Sequence, residues 1–488
     1  MSRVGDVYRT SLTLLTDLYQ LTMAQAYWAS GNADKEAVFH LFFRKSPFGG
    51  GFSLSCGLAR AIDCLSAFRF TPDDVDYLAS LTGNDDGPLF QPEFLGELAS
   101  VELRLDVDAV PEGTAVFPYE PLVRVRGPIL QAQLVETVLL NAINFETLIA
   151  TKAARVCLAA RGDTVIEFGL RRAQGIDGGL SASRAAYVGG CAATSNVLAG
   201  RLYGIPVRGT HAHSWVMSFA SEREAFEAYA DAQPNNCVLL IDTYDTLQGV
   251  RNAVLVGRRL RERGHELAGV RLDSGDLAYL SLEARKILDA EGFSDTAIVA
   301  SNDLDEHVIA SLKEQGAAIT VWGVGTRLVT GGDEAALGGV YKLGAVRRPG
   351  EAWQYRLKIS EQAVKTTNPG IQQIRRFETE DGLVADMIYD EEQGLGDDPV
   401  LVDPVDPTRL KRIPADTRAS DLLEPVVRGG RVVRETPPLS DIRSRAADQL
   451  GRLHSGIKRF VNPHQYPVGL SSALRELKTK LVVDVRAE

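Results

Sequence analysis

The sequence predicts an α/β protein: an irregular (β/α) barrel plus a smaller α/β domain, the latter built from the N-terminal region and part of the C-terminal region. With 488 residues, the chain is long enough for two or three domains. Its middle part alternates apolar strand-like runs with helical segments, which is typical of a parallel sheet covered by helices. Several of these strands end in a polar or charged residue. An open doubly wound sheet would also place ligands at strand ends, but the number of repeats and a late glycine loop favour the barrel.

The first predicted domain spans residues 1–130. Residues 13–29 carry a helical apolar pattern. Residues 37–43 alternate like a strand and lead into a loop with two cations that begins at Arg44. Residues 100–128 hold short strand-like runs broken by prolines and glycines, so a small β-containing region is expected there.

The predicted barrel spans residues 131–345. Its expected helices cover residues 130–148, 151–161, 181–200, 222–230, 246–264, 277–291 and 306–315. Its expected strands cover residues 164–168, 205–210, 238–242, 268–273, 297–301 and 318–324. Residues 346–488 have a looser pattern with two helical segments, and this C-terminal region is expected to pack on both domains.

Composition narrows the classes of function. The formal charge is 53 − 64 = −11, which argues against a general nucleic-acid binder but leaves room for a local cationic site. The five cysteines form no Cys-x-x-Cys pair, so a zinc site or a disulfide framework is not expected and a reducing cytosol fits. Residues 1–10 lack the apolar core of a signal peptide, and no apolar run is expected to approach a membrane span. We therefore expect a cytoplasmic protein without membrane contact.

Two histidines, His211 and His213, follow the predicted strand 205–210. If the strand continued to His213, both side chains would point to the same face. An imidazole there can be a phosphate carrier, an acid/base or a metal ligand. Two hydrogen-bonded histidines at a strand end are an equally weighted alternative.

Residues 271–276, Arg-Leu-Asp-Ser-Gly-Asp, place a cation and two carboxylates around one strand end. Arg271 suits the capture of a carboxylate or phosphate. Asp273 and Asp276 can bind ribose hydroxyls or order a hydrated Mg²⁺. The alternative is a helix cap plus a surface ion pair. The presence of both charge signs at one strand end argues against this alternative.

Two loops offer anion sites. Gly323, Gly325 and Thr326 form a Gly-x-Gly-Thr turn after an apolar strand, and glycines let backbone N–H groups approach a phosphate. Arg171 and Arg172 follow another strand and precede a stretch rich in glycine and serine. Either loop taken alone is weak evidence, because glycine turns are common and arginine pairs are usually solvated.

Several ordered motifs resemble those of the nicotinate phosphoribosyltransferase family. They are Leu-Thr-Asp-Leu-Tyr-Gln at 15–20, Phe-Phe-Arg at 42–44 with Pro-Phe-Gly-Gly at 47–50, Gly-Leu-Arg-Arg-Ala-Gln-Gly at 169–175, Gly-Thr-His-Ala-His-Ser at 209–214, Val-Arg-Leu-Asp-Ser-Gly-Asp-Leu at 270–277, Gly-Val-Gly-Thr at 323–326 and Gly-Gly-Val-Tyr-Lys-Leu at 338–343. The resemblance implies a type II phosphoribosyltransferase fold and a homodimer with active sites at the subunit interface. It also implies the formation of nicotinate mononucleotide and pyrophosphate from nicotinate and phosphoribosyl pyrophosphate (PRPP), coupled to ATP hydrolysis, with Mg²⁺, in NAD synthesis.

The resemblance also assigns roles to individual residues. His213 corresponds to the phosphorylated histidine, and Asp273 to a catalytic or Mg²⁺-side group. Thr210 and Arg271 correspond to nicotinate contacts, and Tyr19 would stack on the ring from the neighbouring subunit. The expected contacts to PRPP phosphates and ribose are Gly323, Gly325, Thr326, Asp276, Arg171, Arg172 and Arg44.

Three rival readings remain. Nicotinamide phosphoribosyltransferase shares the resemblance, but an amide-selective pocket is expected to offer an acceptor such as Asp where this chain has Gly209 and Thr210. A non-catalytic metabolite-binding homologue would not need an intact His213 and Arg271. An aldolase would need a strand-end lysine, and neither Lys342 nor Lys358 follows a convincing strand.

Overall fold

The computed structural model describes residues 12–362, 365–395, 400–406, 408–414 and 417–487. The chain forms two compact units. The first combines the residues up to Thr147 with those from Ala336 onward, and the second comprises Leu148–Ala335. Residues 1–10, on which the signal-peptide expectation rests, lie outside the described residues.

The described strands are, in chain order, β1 Glu36–Phe42, β2 Ser53–Leu54, β3 Asp106–Ala109, β4 Ala115–Val116, β5 Val123–Pro128, β6 Thr164–Glu167, β7 Ala193–Thr194, β8 Val238–Leu240, β9 Gly269–Leu272, β10 Ala297–Ala300, β11 Val321–Val324, β12 Val340–Arg347, β13 Gln354–Tyr355, β14 Gln372–Thr379, β15 Gly382–Asp390, β16 Val400–Val402, β17 Leu410–Arg412, β18 Arg418–Asp421, β19 Glu424–Arg428, β20 Arg431–Val432 and β21 Val468–Leu470. The described α-helices are α1 Leu18–Ala29, α2 Leu58–Ser66, α3 Pro72–Ala79, α4 Pro92–Ala99, α5 Ile129–Leu134, α6 Glu136–Ala159, α7 Gly175–Val188, α8 Val197–Tyr203, α9 His213–Met217, α10 Glu222–Ala232, α11 Thr246–Glu262, α12 Leu277–Ala290, α13 Glu306–Glu314, α14 Thr326–Val329, α15 Leu439–Arg452 and α16 Ser472–Ala487.

The second unit is built on a parallel sheet, which confirms the predicted α/β class. The strand order is β7-β6-β11-β10-β9-β8, and every neighbouring pair is parallel. The strands are short and apolar because both faces of a parallel sheet are covered. Trp322 in β11 is fully buried, and its indole N–H donates to the Asp163 carboxylate at 3.0 Å. All carboxyl ends of this sheet therefore lie along one edge.

The predicted strand at residues 205–210 is wrong. This segment makes a single bridge, Val207 to Thr194, and otherwise has no regular structure. On one side the backbone of Thr194 bonds with Pro206 and Arg208, each at 3.0 Å. On the other side the backbone N–H of Leu240, in β8, donates to the His211 ring at 3.2 Å. The segment thus connects the two outer strands of the sheet. The barrel is irregular here, because the His211 side chain takes the place of a backbone hydrogen bond to β8.

Other boundaries also differ from the prediction. The predicted helices 130–148 and 151–161 are α5 and one long helix, α6. The predicted helix 181–200 is interrupted by β7, because Gly190 adopts a φ of 116° that ends α7 and turns the chain back toward the sheet.

The stretch Ile129–Ala159 is long and apolar enough to cross a membrane, by length and composition only, so the expectation that no run approaches this length is wrong. However, 67% of its most apolar part is buried inside the protein. A single, mostly buried helix of this kind is weak evidence for a membrane span and is typical of a core helix.

The first unit contains two larger sheets. One is antiparallel with the order β13-β12-β1-β5-β3-β19-β20, and the other has the order β17-β16-β21-β15-β14-β18. The first sheet combines strands from the N-terminal and C-terminal regions, whereas the second is built from residues 372–470. Buried side chains join the sheets: the Arg124 guanidinium donates to the Gln372 carbonyl at 3.0 Å, and the Gln372 N–H donates to His40 Nε2 at 3.1 Å. The N-terminal and C-terminal regions therefore build this unit together.

Candidate functional site

The carboxyl ends of β8, β9 and β10 bring the predicted anion-binding residue Arg271 into a network of polar groups. Arg271 lies in β9, in register with Leu240 on one side and Val299 on the other. Its side chain is 14% exposed. Nη1 donates to the Thr210 hydroxyl and to the His211 carbonyl, each at 3.3 Å. The predicted pairing of Thr210 and Arg271 is thus present in space, and the guanidinium is held at the rim of the sheet.

Ser301, at the end of β10, connects Arg271 to Asp273. Its hydroxyl accepts a hydrogen bond from Arg271 Nε at 3.0 Å and donates to Asp273 Oδ1 in a short contact. The direct distance from Arg271 Nη2 to Asp273 Oδ1 is 3.7 Å, longer than a hydrogen bond. The sequence reasoning did not select Ser301 as a site residue, although it lies at a strand end next to the predicted pair.

Asp242 is a second residue that sequence reasoning missed. It follows β8, and its side chain is 1% exposed. Oδ2 accepts hydrogen bonds from the Asp273 N–H at 2.9 Å and the Ser274 hydroxyl at 2.6 Å. Oδ1 is buried and has no hydrogen-bond partner among the residues that the structure describes. The signal that could have found it is its position, because it is an acid at the end of an apolar strand.

His213 lies at the centre of these carboxylates. It is the first residue of the short helix α9, and its side chain is 39% exposed. Nδ1 is 3.1 Å from the Thr243 hydroxyl. Nε2 lies 3.7 Å from Asp273 Oδ2 and 3.9 Å from Asp242 Oδ1. One ring nitrogen is therefore oriented by a hydroxyl, while the other faces two acids and solvent.

His211 has a different environment, so the expectation that both histidines share a face is wrong. Its ring is buried against Tyr229 at 4.7 Å between centroids, in an edge-to-face arrangement. Nε2 accepts the Leu240 N–H, and Nδ1 lies 3.4 Å from the Ala212 carbonyl. Burial, and to a lesser degree the charge of Arg271, lower the pKa of His211 to about 4. His211 is therefore a neutral histidine with a structural role. It does not share a face with His213, because the segment is not a strand.

The loops after β6 and β11 pack closely against each other. A side chain at Gly169 would collide with Val329 at 2.2 Å, and one at Gly325 would lie 3.3 Å from the Phe168 carbonyl. Glu167 fixes the first loop, because its buried carboxylate accepts bonds from the Gly169 N–H and the Ser183 hydroxyl. Gly169 therefore leaves no room for a side chain between the two loops, and a side chain at Gly325 would make a tight contact.

Arg171, Arg172 and Thr326 lie on these two loops. Both arginines are exposed in a 3₁₀ turn, and neither has an ion-pair partner within the described parts of the chain. Thr326 begins α14, directly after Gly325. The structure thus places these three predicted phosphate contacts on neighbouring loops of one sheet edge.

Two predicted phosphate contacts have other roles in the structure. Gly323 is buried inside β11 and pairs with Ile166, and a side chain there would meet the Phe168 ring at 2.6 Å. It is a packing glycine rather than part of an open loop. Asp276 is the N-cap of α12, where Oδ1 accepts the Tyr279 N–H at 3.1 Å. Its cap role was the alternative considered for this acid, and a role toward ribose or Mg²⁺ stays a prediction.

Tyr19 and Arg44 belong to the first unit. Tyr19 lies on α1 and is 47% exposed. Arg44 follows β1. Burial lowers the pKa of Lys342, Glu136 acts in the opposite direction, and the charges of Arg44 and Lys358 add smaller lowering contributions. A phosphate contact of Arg44 stays a prediction.

The second unit has the architecture of an α/β enzyme for anionic substrates, because guanidinium groups and backbone loops that suit carboxylate and phosphate gather at the carboxyl edge of its sheet. The chain belongs to the nicotinate phosphoribosyltransferase family. Three family models match it: the nicotinate phosphoribosyltransferase N-terminal domain at residues 14–144, the nicotinate phosphoribosyltransferase family at 164–356 and the C-terminal domain at 372–478.

Individual relatives agree with the family models. The chain is 42% identical to the nicotinate phosphoribosyltransferase of Bacillus subtilis over 98% of its own length and 96% of the relative. It is 38% identical to the human protein of that name, with 96% of each chain covered. The crystal structure of human nicotinic acid phosphoribosyltransferase superposes with a TM-score of 0.82 at 36% identity, covering 96% of this chain and 99% of the other.

Proposed function

We propose that the protein is a nicotinate phosphoribosyltransferase that couples its reaction to ATP hydrolysis through a phosphohistidine at His213. The single observation that carries the proposal is that Arg271 Nη2 and His213 Nε2 each lie 3.7 Å from a different carboxylate oxygen of Asp273, at one edge of one parallel sheet. The cation proposed to bind the nicotinate carboxylate and the histidine proposed to carry phosphate thus lie beside the same side chain, Asp273. The family membership and the full-length relatives support the same reaction.

Nicotinate binds through its carboxylate to Arg271 and Thr210. The guanidinium has N–H groups directed toward Thr210, and a planar fork suits a carboxylate better than a neutral amide. The pyridine nitrogen then attacks C1 of the PRPP ribose, the C1–oxygen bond breaks, and pyrophosphate leaves with the electron pair. Holding the ring by its carboxylate aims the nitrogen at C1, which is catalysis by positioning.

The phosphates of PRPP bind to Gly325, Thr326, Arg171 and Arg172. The two arginines are exposed and have no ion-pair partner among the described residues, so they are available for anions and stabilise the negative charge that grows on pyrophosphate. The carboxylate of Asp273 favours the oxocarbenium-like ribose electrostatically.

The donor set at this edge fits Mg²⁺. The orphaned, buried Asp242 Oδ1 and Asp273 Oδ2 both lie within 4 Å of His213 Nε2, so two carboxylate oxygens from neighbouring strand ends face one space. Mg²⁺ prefers oxygen ligands and keeps several waters. When bound, Mg²⁺ neutralises charge on the phosphates.

His213 is the residue proposed to carry phosphate. One imidazole nitrogen attacks the γ-phosphorus of ATP, ADP leaves, and water later removes the phosphoryl group as inorganic phosphate. Thr243 orients the ring through Nδ1. Hydrolysis of the phosphohistidine drives nucleotide formation forward.

A homodimer is the proposed assembly. In the first unit, Tyr19 is accompanied by the exposed apolar side chains of Leu15, Leu18 and Met23. In the second unit, Val197, Leu198 and Leu202 of α8 are exposed. Apolar patches of this kind mark interaction surfaces, and a second copy of the chain would cover them while bringing Tyr19 to the nicotinate ring.

The test is identification of the product by mass spectrometry. The protein is incubated with PRPP and Mg²⁺ and with either nicotinate or nicotinamide. Nicotinate mononucleotide and pyrophosphate are expected from the first mixture, with a kcat/KM far above that for nicotinamide. Comparable values would favour the nicotinamide enzyme, and the absence of product with tight PRPP binding would favour a metabolite-binding homologue.

A further inference from the structure

We infer that Ser301 is a positioning residue whose hydroxyl keeps Arg271 and Asp273 apart, so that the guanidinium stays free for the substrate carboxylate. The inference rests on the proposed function of Arg271 as the nicotinate contact. It concerns a residue that touches neither substrate nor phosphate in that proposal.

The geometry around Ser301 carries the inference. Its Oγ accepts from Arg271 Nε at 3.0 Å and donates to Asp273 Oδ1, and a second acceptor, the Leu272 carbonyl, lies at 3.3 Å. Ser301 is 5% exposed, so the hydroxyl cannot exchange these partners for bulk water. The donor and one acceptor lone pair of this one oxygen are used by the pair that it separates.

Without the Ser301 hydroxyl, the Arg271 and Asp273 side chains would move into direct contact. Arg271 Nη2 and Asp273 Oδ1 already form an ion pair at 3.7 Å, and without their common partner the two groups are expected to close to a direct, hydrogen-bonded salt bridge. A two-point contact through Nε and Nη2 would replace the Nε bond to Ser301 and would also occupy Nη2, an N–H group that a substrate carboxylate needs. It would also draw Asp273 Oδ2 away from His213, which it now faces at 3.7 Å.

Ser301 therefore sets the strength of nicotinate binding without touching nicotinate. By bonding to both ions, the serine leaves Arg271 available to the substrate carboxylate and Asp273 available to His213 and the ribose. A hydroxyl suits this task because it bonds both ions and carries no net charge of its own.

The test compares Ser301→Ala with Ser301→Thr, which keeps a hydroxyl, and with Ser281→Ala. Ser281 is a matched control, because it is also buried in the second unit, accepts the Ala318 N–H at 3.1 Å and donates to the Ala278 carbonyl at 2.9 Å. Initial rates are measured with nicotinate and with PRPP varied separately, and nicotinate affinity is measured by calorimetry on the same full-length proteins.

For Ser301→Ala we expect the nicotinate KM and Kd to rise about 10-fold or more, as for the loss of a charge-assisted hydrogen bond. The KM for PRPP should change less than about 2-fold, and Ser301→Thr should restore nicotinate binding. Ser281→Ala should lower the Tm without moving either KM. A nicotinate Kd unchanged in Ser301→Ala, in a background where the parent protein makes product, would overturn the inference while leaving the proposed function intact.

If Ser301→Ala fails to fold, Ser301→Cys replaces it. A thiol keeps the volume but bonds weakly, so the same rise in nicotinate KM is expected, and an unchanged KM would again overturn the inference. If the parent protein itself makes no nicotinate mononucleotide, the proposed function fails, which is a separate outcome.

Discussion

His213 Nε2 lies 3.7 Å from Asp273 Oδ2, although the two residues come from different connections of the barrel. Asp242 reinforces this relationship, because it holds the Asp273 backbone N–H at 2.9 Å and has a second oxygen directed toward the same imidazole. The histidine and the acids therefore form one unit at the sheet edge.

Replacing His211 by leucine should lower stability but keep the response to ATP. The variant leaves the buried Leu240 N–H without its acceptor, which costs about 1–3 kcal/mol. We expect a lower Tm by calorimetry and an unchanged ratio of rates with and without ATP. Loss of the ATP response in a folded His211→Leu protein would mean that His213 is the wrong histidine for the phosphoryl transfer.

Arg271→Lys should lower kcat/KM for nicotinate by about 100-fold, because an ammonium group cannot reproduce a bidentate bond to a carboxylate. Steady-state rates with nicotinate varied give the value. Arg285→Lys, on α12 of the same unit, is a suitable control, since Arg285 bonds to Asp289 and to backbone carbonyls of the same unit. A loss below 3-fold in Arg271→Lys would contradict the role of this guanidinium.

Asp242→Asn should raise the Mg²⁺ concentration that gives half-maximal activity by about 10-fold, because one of two proposed carboxylate ligands loses its charge. Titration of Mg²⁺ after treatment with a chelator measures this shift. Asp163→Asn tests the amino end of the same sheet, where Asp163 pairs with Lys313 at 2.7 Å, and should leave the Mg²⁺ requirement unchanged. An equal shift in both variants would argue against a metal role for Asp242.

Glu120→Gln in the first unit should stabilise the protein increasingly as the pH rises. Burial raises the pKa of Glu120 well above its usual range, and the neighbouring Asp386 raises it further. The folded protein then binds a proton that the unfolded chain has released, so stability falls as the pH rises from the unfolded pKa of Glu toward the folded one. Glutamine removes this penalty.

The measurement for Glu120 is the Tm of parent and variant between pH 5 and 8. The difference in favour of Glu120→Gln is expected to grow with pH, whereas Glu97→Gln, an exposed control, should show no trend. A difference that stays constant or shrinks with pH would mean that Glu120 is ionised in the folded protein.

The fold of the second unit followed from sequence because its signals are local. Apolar runs such as Val238–Leu240 and Val321–Val324 are short, buried on both faces and separated by clear helical periods. The sheets of the first unit were not predictable in the same way. β1 pairs with both β5 and β12, and these partners are far apart in the chain, so no local pattern indicates the pairing.

Sequence predicted the site residues whose type alone indicates their chemistry. It did not predict those whose role depends on side-chain orientation or on contacts in the fold. Arg271, Thr210, Asp273 and His213 meet at one edge, although Thr210 and His213 do not follow a strand. The orientation of His211 was wrong because it depended on a strand that one side-chain bond replaces. Gly323 was read as a phosphate glycine, but its space is filled by Phe168. Asp242 had a sequence signal, since it is an acid at the end of an apolar strand, whereas only its contacts reveal the place of Ser301 in the network.

The central claim is tested most directly by nicotinate mononucleotide formation with and without ATP, in the parent protein and in His213→Ala. The account predicts that ATP stimulates the parent, that His213→Ala keeps a slow basal rate, and that the variant gains nothing from ATP. Label from γ-phosphate-labelled ATP should appear on the parent chain and not on the variant. Full ATP stimulation in His213→Ala, or no product from the parent under any condition, would contradict it.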